Sequence, residues 1–269
     1  MTDAAKEAVR AHWDATPCGT RDLSPDDRRA FFRELEDERY ALEPYIKPFA
    51  RFWEGRDKDV LEVGVGAGTD FMQWVRAGAR ATGVDLTAQG VALTQERLAL
   101  EGLSATVTQG DAEALPFDDA RFDIVYSYGV LHHSPNTPRA IDEVYRVLKP
   151  GGRARVMIYH LYSWVAVMKW AMHGAAKGRP QMSLREAVHD HLESPGTKAY
   201  TVPEARALFG RFRDVAVRTQ LGHGDLLLMR PSERYPGRAH QLLWRAWPRP
   251  LIRLLGNRFG TAMMIEATR

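Results

Sequence analysis

Short apolar runs alternate with helix-forming segments from residue 59 onward, and this alternation restricts the chain to few folds. Runs that suit buried strands fall at residues 59–63, 79–84, 105–109, 122–126 and 154–159. Repeated strand–helix units of this size favour parallel pairing, with helices on both faces of one sheet. Two later runs, 215–217 and 261–267, predict a sixth and a seventh strand. The sequence therefore predicts an α/β fold with a doubly wound, seven-stranded, mostly parallel sheet.

The segments outside this rhythm predict four regions. Residues 1–55 form an N-terminal helical cap, 56–160 the core, 161–200 a helical lid insertion, and 201–269 the end of the sheet with a second insertion at 221–259. The second helix of the cap is expected to begin at Ser24, since serine caps helices and Pro25 suits the first helical position. We expect the cap and the insertions to form a mobile lid, hinged at residues 17–20.

Composition favours a cytoplasmic protein. The N-terminus is polar and lacks the apolar region of a secretory signal, and the most apolar stretch, 162–172, contains Lys169 and is too short to span a bilayer. A single cysteine, Cys18, excludes internal disulfides and cysteine-rich metal clusters. His189 and His191 bracket Asp190, but this spacing is typical of a solvated helix face, so no metal is expected.

Positive charge is concentrated in the C-terminal quarter. Residues 201–269 contain twelve arginines, five acidic residues and no lysine. This pattern suits either a solvated surface or an anionic partner such as a phosphorylated substrate, acidic lipids or nucleic acid. Within 236–258, leucines and Trp247 lie on one side of a helical pattern and arginines recur every four residues. An amphipathic lid is expected there, with peripheral membrane contact as the alternative.

A glycine-rich turn follows the first predicted strand. Glycines at 64, 66 and 68 allow a sharp turn and let a ligand lie against bare backbone. The dinucleotide pattern would place its last glycine one residue later, at Thr69. Glu62 is awkward beside a pyrophosphate but suits a ligand that carries an ammonium group.

Two aspartates follow the next two strands. Asp85 ends the second strand, where a carboxylate can accept both hydroxyls of a ribose; the alternative is a helix cap. Asp111 follows the third strand and could accept a hydrogen bond from an adenine amino group, with Leu115 and Phe117 covering the ring.

With these motifs in order, the chain resembles the class I (Rossmann-like) S-adenosylmethionine-dependent methyltransferases. It looks closest to the type 11 group, which includes quinone-biosynthesis C-methyltransferases and natural-product O-methyltransferases. The matching motifs are VLEVGVGAGTD, TGVDL, GDAEALPF, FDIVYSYGVLHH and EVYRVLKPGGRARV, between about residues 58 and 160. The resemblance implies strand order 3-2-1-4-5-7-6 with an antiparallel seventh strand, and S-adenosylmethionine as cofactor.

The resemblance also assigns residues to the cofactor. Glu62, Gly64, Gly66 and Gly68 would hold its methionine half, Asp85 the ribose, and Asp111 with Ala112 the adenine. We add Leu86 and Ser127, at the ends of the second and fourth strands, to the predicted cofactor residues.

The fourth strand leads into Leu131-His132-His133. In several related O-methyltransferases such a run supplies the general base, so His133 or His132 is the candidate here; the alternative is that both only line the pocket. The Asn/Asp-Pro-Pro-aromatic motif of adenine and glutamine N-methyltransferases is absent from this place. Further pocket residues are predicted outside the motifs: Tyr40, Tyr128, His160, Trp164 and Trp244.

These observations predict methyl transfer to oxygen or carbon of a small, largely apolar metabolite, by displacement at the sulfonium methyl. Nucleic acid is an improbable partner, and neither the acceptor nor the oligomeric state follows from the sequence. Two alternatives stay open: an RNA base methyltransferase, and a cofactor-binding regulatory protein without catalysis.

Overall fold

The computed structural model describes residues 2–15, 27–194, 196–228 and 244–269. The predicted cap at Ser24, the predicted hinge at 17–20, Cys18 and the first part of the 236–258 pattern lie outside these residues. Asp27 caps the second helix, since its carboxylate accepts hydrogen bonds from the amides of Arg29 and Ala30.

The strands form one sheet in the order β3-β2-β1-β4-β5-β7-β6. Their bounds are β1 Asp59–Val63, β2 Arg80–Asp85, β3 Thr106–Gln109, β4 Phe122–Tyr128, β5 Leu148–Tyr159, β6 Arg213–Gln220 and β7 Ala262–Thr268. β1 to β5 pair in parallel, whereas β7 runs antiparallel to both β5 and β6. The predicted fold class and strand order are therefore confirmed.

Helices connect and cover the strands. They are α1 Thr2–Ala15, α2 Arg28–Leu42, α3 Ile46–Ala50, α4 Thr69–Arg76, α5 Ala88–Glu101, α6 Thr137–Val147, α7 Trp164–His173, α8 Leu184–His191, α9 Val202–Leu208, α10 His223–Leu226 and α11 Arg249–Leu255. A 3-10 turn, Leu131–His133, follows β4.

Two apolar cores, one on each face, hold the layers together. On one face α6 and α9 bury Ile141, Val144 and Phe209 against β1, β4, β5 and β7. On the other face α3, α4 and α5 bury side chains such as Phe71 and Trp74. Burial of each such side chain stabilises the fold by roughly 1.5–3 kcal/mol. A sheet covered on both faces leaves the carboxyl ends of its parallel strands as the natural place for a ligand.

The cap and the first insertion each have a small core of their own. Phe31, Phe32 and Leu35 of α2 pack against Ala67 of the glycine turn and Leu93 of α5. In the first insertion, Leu161, Ala166, Val188 and Ala199 pack together. Both segments are therefore packed against the carboxyl edge of the sheet or beside it.

Candidate functional site

The glycine turn between β1 and α4 leaves room beside its backbone. Gly64 has φ +83°, and a Cβ there would lie 2.2 Å from Val130 Cγ2, so only glycine fits. Gly66 has φ +53°, and a Cβ on it would meet nothing within 4 Å. Its amide donates a 2.8 Å hydrogen bond to Asp85 Oδ2, which fixes the turn against β2. Open space beside a fixed, bare backbone is what a ligand site at this turn requires.

Glu62, two residues before this turn, has a buried carboxylate. The residue is 3% exposed, and its Oε2 has no hydrogen-bond partner among the described residues. Burial raises the pKa of Glu62 well above its usual range, and the nearby Asp70 carboxylate raises it further. A buried acceptor left unpaired is costly, so an approaching ammonium group would be stabilised there. The site therefore fits a ligand with an amino-acid ammonium, as S-adenosylmethionine has.

Asp70, the neighbouring carboxylate, is fully paired. It accepts hydrogen bonds from Arg39 Nη2 (2.6 Å), the Tyr126 hydroxyl (2.8 Å) and the Tyr40 hydroxyl (2.9 Å). Burial alone would raise the pKa of Asp70, but the Arg39 guanidinium and these hydrogen bonds outweigh it and lower the pKa. This network ties α2 to the start of α4. It gives the hydroxyl of Tyr40, predicted to face the pocket, a protein partner instead.

The two predicted adenosine-binding aspartates stand on adjacent strands. Asp85 pairs with Gln109 in the β2–β3 register, and Asp111 follows Gln109 by two residues. Asp85 Oδ1 accepts from the Thr87 amide (2.9 Å) and hydroxyl (2.6 Å). Leu86 and Ala112 follow the two aspartates and are half-buried. The predicted group thus lies together on one edge, while its roles toward a cofactor stay predictions.

Helix α1 lies across this edge. Lys6 Nζ is 2.6 Å from Asp111 Oδ2 and 2.7 Å from Glu113 Oε2. Farther along α1, the Trp13 ring meets the His133 ring edge-on, with centroids 5.3 Å apart. The cap therefore contacts both the predicted adenine residue and the predicted base, which the sequence did not reveal.

Ser127 and Tyr128 both find partners inside the protein. Ser127 is fully buried and donates to the Val63 carbonyl oxygen (2.9 Å), which links β4 to β1. The Tyr128 hydroxyl donates to Glu43 Oε1 (3.2 Å). Their assignment to the cofactor and the substrate stays a prediction.

The two histidines after β4 are buried side by side, with ring centroids 4.2 Å apart. Neither nitrogen of His132 has a hydrogen-bond partner among the described residues. Burial lowers the pKa of His132 well below its usual range, and the adjacent His133 adds to this. His132 is therefore neutral at physiological pH and packs against the Tyr159 ring at 4.0 Å.

His133 is held by a segment of the first insertion. Its Nδ1 lies 2.8 Å from Ser194 Oγ and 3.2 Å from Thr197 Oγ1. The Thr197 hydroxyl already donates to the Ser194 carbonyl oxygen (2.7 Å), so its oxygen is left to accept from His133. Ser194 Oγ can donate to Nδ1 or accept from it, so these contacts fix the orientation of the ring in either tautomer.

Glu193 faces the other ring nitrogen of His133, Nε2. Its Oε2 is 3.3 Å from His133 Nε2 and accepts a 2.8 Å hydrogen bond from the Tyr159 hydroxyl. Partial burial would raise the pKa of Glu193, but its contacts with His133 and Tyr159 lower it, so the carboxylate is charged at neutral pH. A histidine held by hydroxyls at one ring nitrogen and by a carboxylate at the other is a candidate for acid–base chemistry.

The same three residues bring together donor atoms that could bind a cation. One atom each from His132, His133 and Glu193 lie within 4.8 Å of one another. His189, by contrast, pairs with Asp190 (2.8 Å) on an exposed helix face. His191 stacks on His173 at 3.9 Å.

Of the remaining predicted pocket residues, His160 follows β5 directly, and Trp164 and Trp244 lie in the insertions. His160 Nδ1 lies 3.2 Å from the Gly260 carbonyl oxygen. The Trp164 ring packs edge-on against Trp247, at 6.5 Å. The Trp244 ring is covered by the Arg249 guanidinium at 4.3 Å. Each of these three predicted pocket residues thus contacts a different part of the protein.

Glu193, Ser194 and Thr197 are the site residues that sequence reasoning missed. The run Glu-Ser-Pro-Gly-Thr has the composition of an ordinary turn. Their partner His133 lies about sixty positions earlier, so no local pattern connects them.

Sheet order, antiparallel last strand, glycine turn and flanking carboxylates together define the class I methyltransferase fold. Residues 61–156 match the family model described as a methyltransferase domain. The chain therefore contains a class I methyltransferase domain, the class whose cofactor is S-adenosylmethionine. The predicted class is confirmed.

Known proteins similar to this chain include methyltransferases of lipids. It is 36% identical over 174 residues to phthiotriol/phenolphthiotriol dimycocerosates methyltransferase 1 of Mycobacterium ulcerans, a match that covers 61% of each chain. It is 33% identical over 95 residues to a sterol 4-C-methyltransferase of Caenorhabditis elegans, over 35% of this chain and 28% of that one.

Among solved structures, the chain is similar to phosphoethanolamine N-methyltransferase 2 of Haemonchus contortus in complex with S-adenosyl-L-methionine. The TM-score is 0.61 at 19% identity, over 97% of this chain and 60% of that one. This likeness shows the fold alone.

The chain spans between 47% and 61% of the length of three of the curated relatives that it matches. Within the described residues, none of the helices has both the length and the apolar character needed to cross a bilayer.

Proposed function

We propose that the protein transfers a methyl group from S-adenosylmethionine to a hydroxyl oxygen of a small, apolar, lipid-like metabolite. The observation that carries the proposal is the His133–Glu193 pair, since a base is needed to deprotonate an alcohol or phenol. The apolar character of the acceptor is supported by the lipid and sterol named for the two relatives.

The cofactor residues fit this proposal. Glu62 supplies an unpaired carboxylate for the ammonium, Gly66 a bare backbone, and Asp85 and Asp111 carboxylates at the ends of β2 and β3. When bound, S-adenosylmethionine supplies an electrophilic methyl group on a sulfonium.

His133 and Glu193 divide the acid–base work. His133 Nε2 takes the hydroxyl proton of the acceptor as its oxygen becomes nucleophilic, and the Glu193 carboxylate at 3.3 Å stabilises the imidazolium. Ser194 and Thr197 hold the ring by its other nitrogen, so Nε2 is preset in one orientation. Base assistance of this kind typically contributes ~10²–10⁴ in rate.

The cap and insertions have a second role, which is to exclude water. His132 is fully buried and His133 is 5% exposed, although both follow a strand that ends at the ligand edge. We infer that α1 and residues 161–200 close over the bound acceptor. Water kept away from the reacting groups can neither compete as nucleophile nor screen the charges.

A labelled-transfer experiment tests the function. Purified protein is incubated with S-adenosylmethionine carrying a labelled methyl group and with lipid, aqueous-metabolite and nucleic-acid fractions of a cell extract. We expect label in the lipid fraction, insensitive to nuclease and attached through an ether or ester oxygen by NMR.

The other outcomes identify the alternatives. Nuclease-sensitive label would establish an RNA methyltransferase, label on carbon would remove the need for the base, and cofactor binding without any transfer would establish a regulatory protein. A parallel reaction with EDTA should proceed at the same rate. Loss of transfer on chelation, restored by a divalent metal, would show that His132, His133 and Glu193 hold an ion instead of a proton.

A further inference from the structure

Helix α11 exposes large apolar side chains. Leu254 is 82% exposed, Leu251 50% and Leu255 44%, while Ile252 between them is fully buried and anchors the helix. Leu228, which follows α10, is 43% exposed. Single exposed leucines are common, but several together on adjacent short elements mark an interaction surface.

Arginines without carboxylate partners accompany these leucines. Residues 244–260 contain Arg245, Arg249, Arg253 and Arg258 and no acidic residue. Arg249 is committed to the protein, since it donates to the carbonyl oxygens of Leu226 and Leu227. In the part of the chain that the structure describes, the other three form no ion pair with an Asp or Glu side chain. All three are exposed, so an anion can reach them.

This surface rests on a rigid base. Asp225 is fully buried and accepts hydrogen bonds from the Thr261 amide and hydroxyl, both at 2.7 Å. Its carbonyl oxygen accepts a 2.8 Å hydrogen bond from the Trp247 ring nitrogen, two residues before α11. Trp247 in turn packs on Trp164 at the start of α7. The start of α7 is thus held beside the residues that precede α11. Two further exposed apolar side chains lie at this part of the first insertion, Tyr162 before α7 and Val167 on it.

The position of the surface agrees with the direction of the strands. α7 follows β5 at its carboxyl end, and α11 precedes β7, which begins at that same edge because it runs antiparallel. The glycine turn and His133 lie at this edge too. A surface here borders the approach to the proposed site.

We propose that the exposed leucines and arginines form a surface that docks the protein on an anionic lipid bilayer. This leucine–arginine surface comprises Tyr162, Val167, Leu228, Arg245, Leu251, Arg253, Leu254, Leu255 and Arg258. Guanidinium groups pair with phosphate through two parallel hydrogen bonds, and the leucines can enter the acyl boundary between them. The purpose of docking rests on the proposed function, because an apolar acceptor is dissolved in the bilayer and not in water.

Vesicle sedimentation tests the proposal. The full-length protein is mixed with vesicles of phosphatidylglycerol and phosphatidylcholine (1:1) or of phosphatidylcholine alone, at low and high salt. We expect binding to the anionic vesicles, weakened by salt because surface charges are screened. A triple variant combines Leu251→Ser, Leu254→Ser and Leu255→Ser. It should reduce the partition coefficient between vesicles and water at least tenfold. Arg253→Gln with Arg258→Gln should remove the preference for anionic lipid.

Trp53→Ser is the matched control. Trp53 is 62% exposed but precedes β1, at the opposite edge of the sheet, so its loss should leave binding unchanged. Calorimetry with S-adenosylhomocysteine on each variant separates this proposal from the proposed function, since the cofactor site should be unaffected.

The proposal is overturned if wild-type protein stays in the supernatant, if the leucine variant still sediments, or if Trp53→Ser loses binding equally. A leucine variant that changes from dimer to monomer in sedimentation velocity would also overturn it, and would assign the surface to a second copy of the chain.

Discussion

Two buried carboxylates near the glycine turn, those of Asp70 and Glu62, differ in their hydrogen-bond pairing. Asp70 keeps its charge because Arg39 and two tyrosine hydroxyls surround it. Glu62, on the preceding strand, keeps one carboxylate oxygen, Oε2, without a hydrogen-bond partner among the described residues, and burial raises its pKa. A protein retains a costly unpaired carboxylate where a ligand makes use of it. A substitution of Glu62 should therefore affect the stability of the fold and the affinity for the ligand differently.

Glu62→Gln should therefore weaken binding without harming the fold. The substitution removes a charge-assisted hydrogen bond to the ligand ammonium, so the Kd for S-adenosylhomocysteine should rise about 10- to 100-fold. The Tm should be unchanged or higher by up to about 3 °C, because an unpaired buried carboxylate is gone. Calorimetry and thermal unfolding measure the two effects.

Glu54→Gln gives the opposite result. Glu54 pairs with the fully buried Arg155, whose pKa is lowered by burial, and a neutral partner would leave that guanidinium uncompensated. The Tm should fall while the Kd stays constant. If Glu62→Gln behaved like Glu54→Gln, the carboxylate would be structural.

His133→Asn isolates the proposed base. The Asn amide can still hydrogen-bond with Ser194 and Thr197 in place of Nδ1, but it has nothing at the position of Nε2. We expect kcat to fall ~10²–10⁴-fold with the S-adenosylhomocysteine Kd within about twofold of wild type. His189→Asn, on an exposed helix face, is the control and should be as active as wild type.

Glu193→Gln tests the carboxylate partner by a change in the pH profile. Without the negative charge the imidazolium is less stable, so the acid limb of kcat/KM should move to lower pH and the plateau should fall. A profile that only scales down, with its acid limb in place, would mean that Glu193 does not face the titrating group.

At the scale of elements, α1 contacts predicted site residues through Lys6 and Trp13, so this helix offers a test of the proposed lid. Lys6→Met removes the ion pairs to Asp111 and Glu113. Hydrogen exchange of residues 2–15 should then be faster in the free protein, because the helix loses its charged attachment. Adding S-adenosylhomocysteine should slow exchange in these residues in the wild type.

Arg10→Met is the control for this helix. Among the described residues, Arg10 pairs within α1, with Glu7 at 2.7 Å, so exchange should be unaffected. If Lys6→Met also exchanges at the wild-type rate, or if cofactor protects only the sheet, α1 is not a lid.

Sequence patterns predicted the elements better than their ends. The first strand, predicted at residues 59–63, has those bounds, because a short buried apolar run is a local signal. β5, predicted to begin at residue 154, begins at Leu148 and runs through Gly151 and Gly152. α6 ends at Val147 and the chain pairs with β4 at once, which depends on tertiary contacts.

At the scale of the whole molecule, buried histidines make the fold acid-sensitive. Burial lowers the pKa of His132 and His160, and lowers that of His173 to about 4. Each folded-state pKa lies below the unfolded value, so below pH 6.5 the unfolded chain binds more protons. Each of these histidines therefore removes up to about 1.4 kcal/mol of stability per pH unit as the pH falls below 6.5.

Urea unfolding at pH 7.5, 6.5 and 5.5 measures this slope. The free energy of unfolding should fall between pH 6.5 and 5.5, and His173→Gln should make the fall shallower. His189→Gln should not. Glu62 acts in the opposite direction, since its pKa is raised, so Glu62→Gln should make the fall steeper.

The candidate cofactor residues could be predicted from the sequence. For the candidate base, the histidines could be predicted but their partners could not, for a physical reason. Glu62, Gly66, Asp85 and Asp111 sit at strand ends, and parallel pairing alone brings strand ends together. The partners of His133 come from residues 193–197, in an insertion whose path depends on how it packs. No period or cap in the sequence encodes that path.

The lysine of α1 resting on Asp111 has a kinetic consequence. Lys6 Nζ lies 2.6 Å from the carboxylate of Asp111, the predicted adenine acceptor, so this lysine competes with a ligand for that carboxylate. A ligand can reach the Asp111 carboxylate only after Lys6 has moved away from it. At high ligand concentration the observed association rate should then level off at the rate at which α1 detaches, and any substitution that loosens the helix should raise that ceiling.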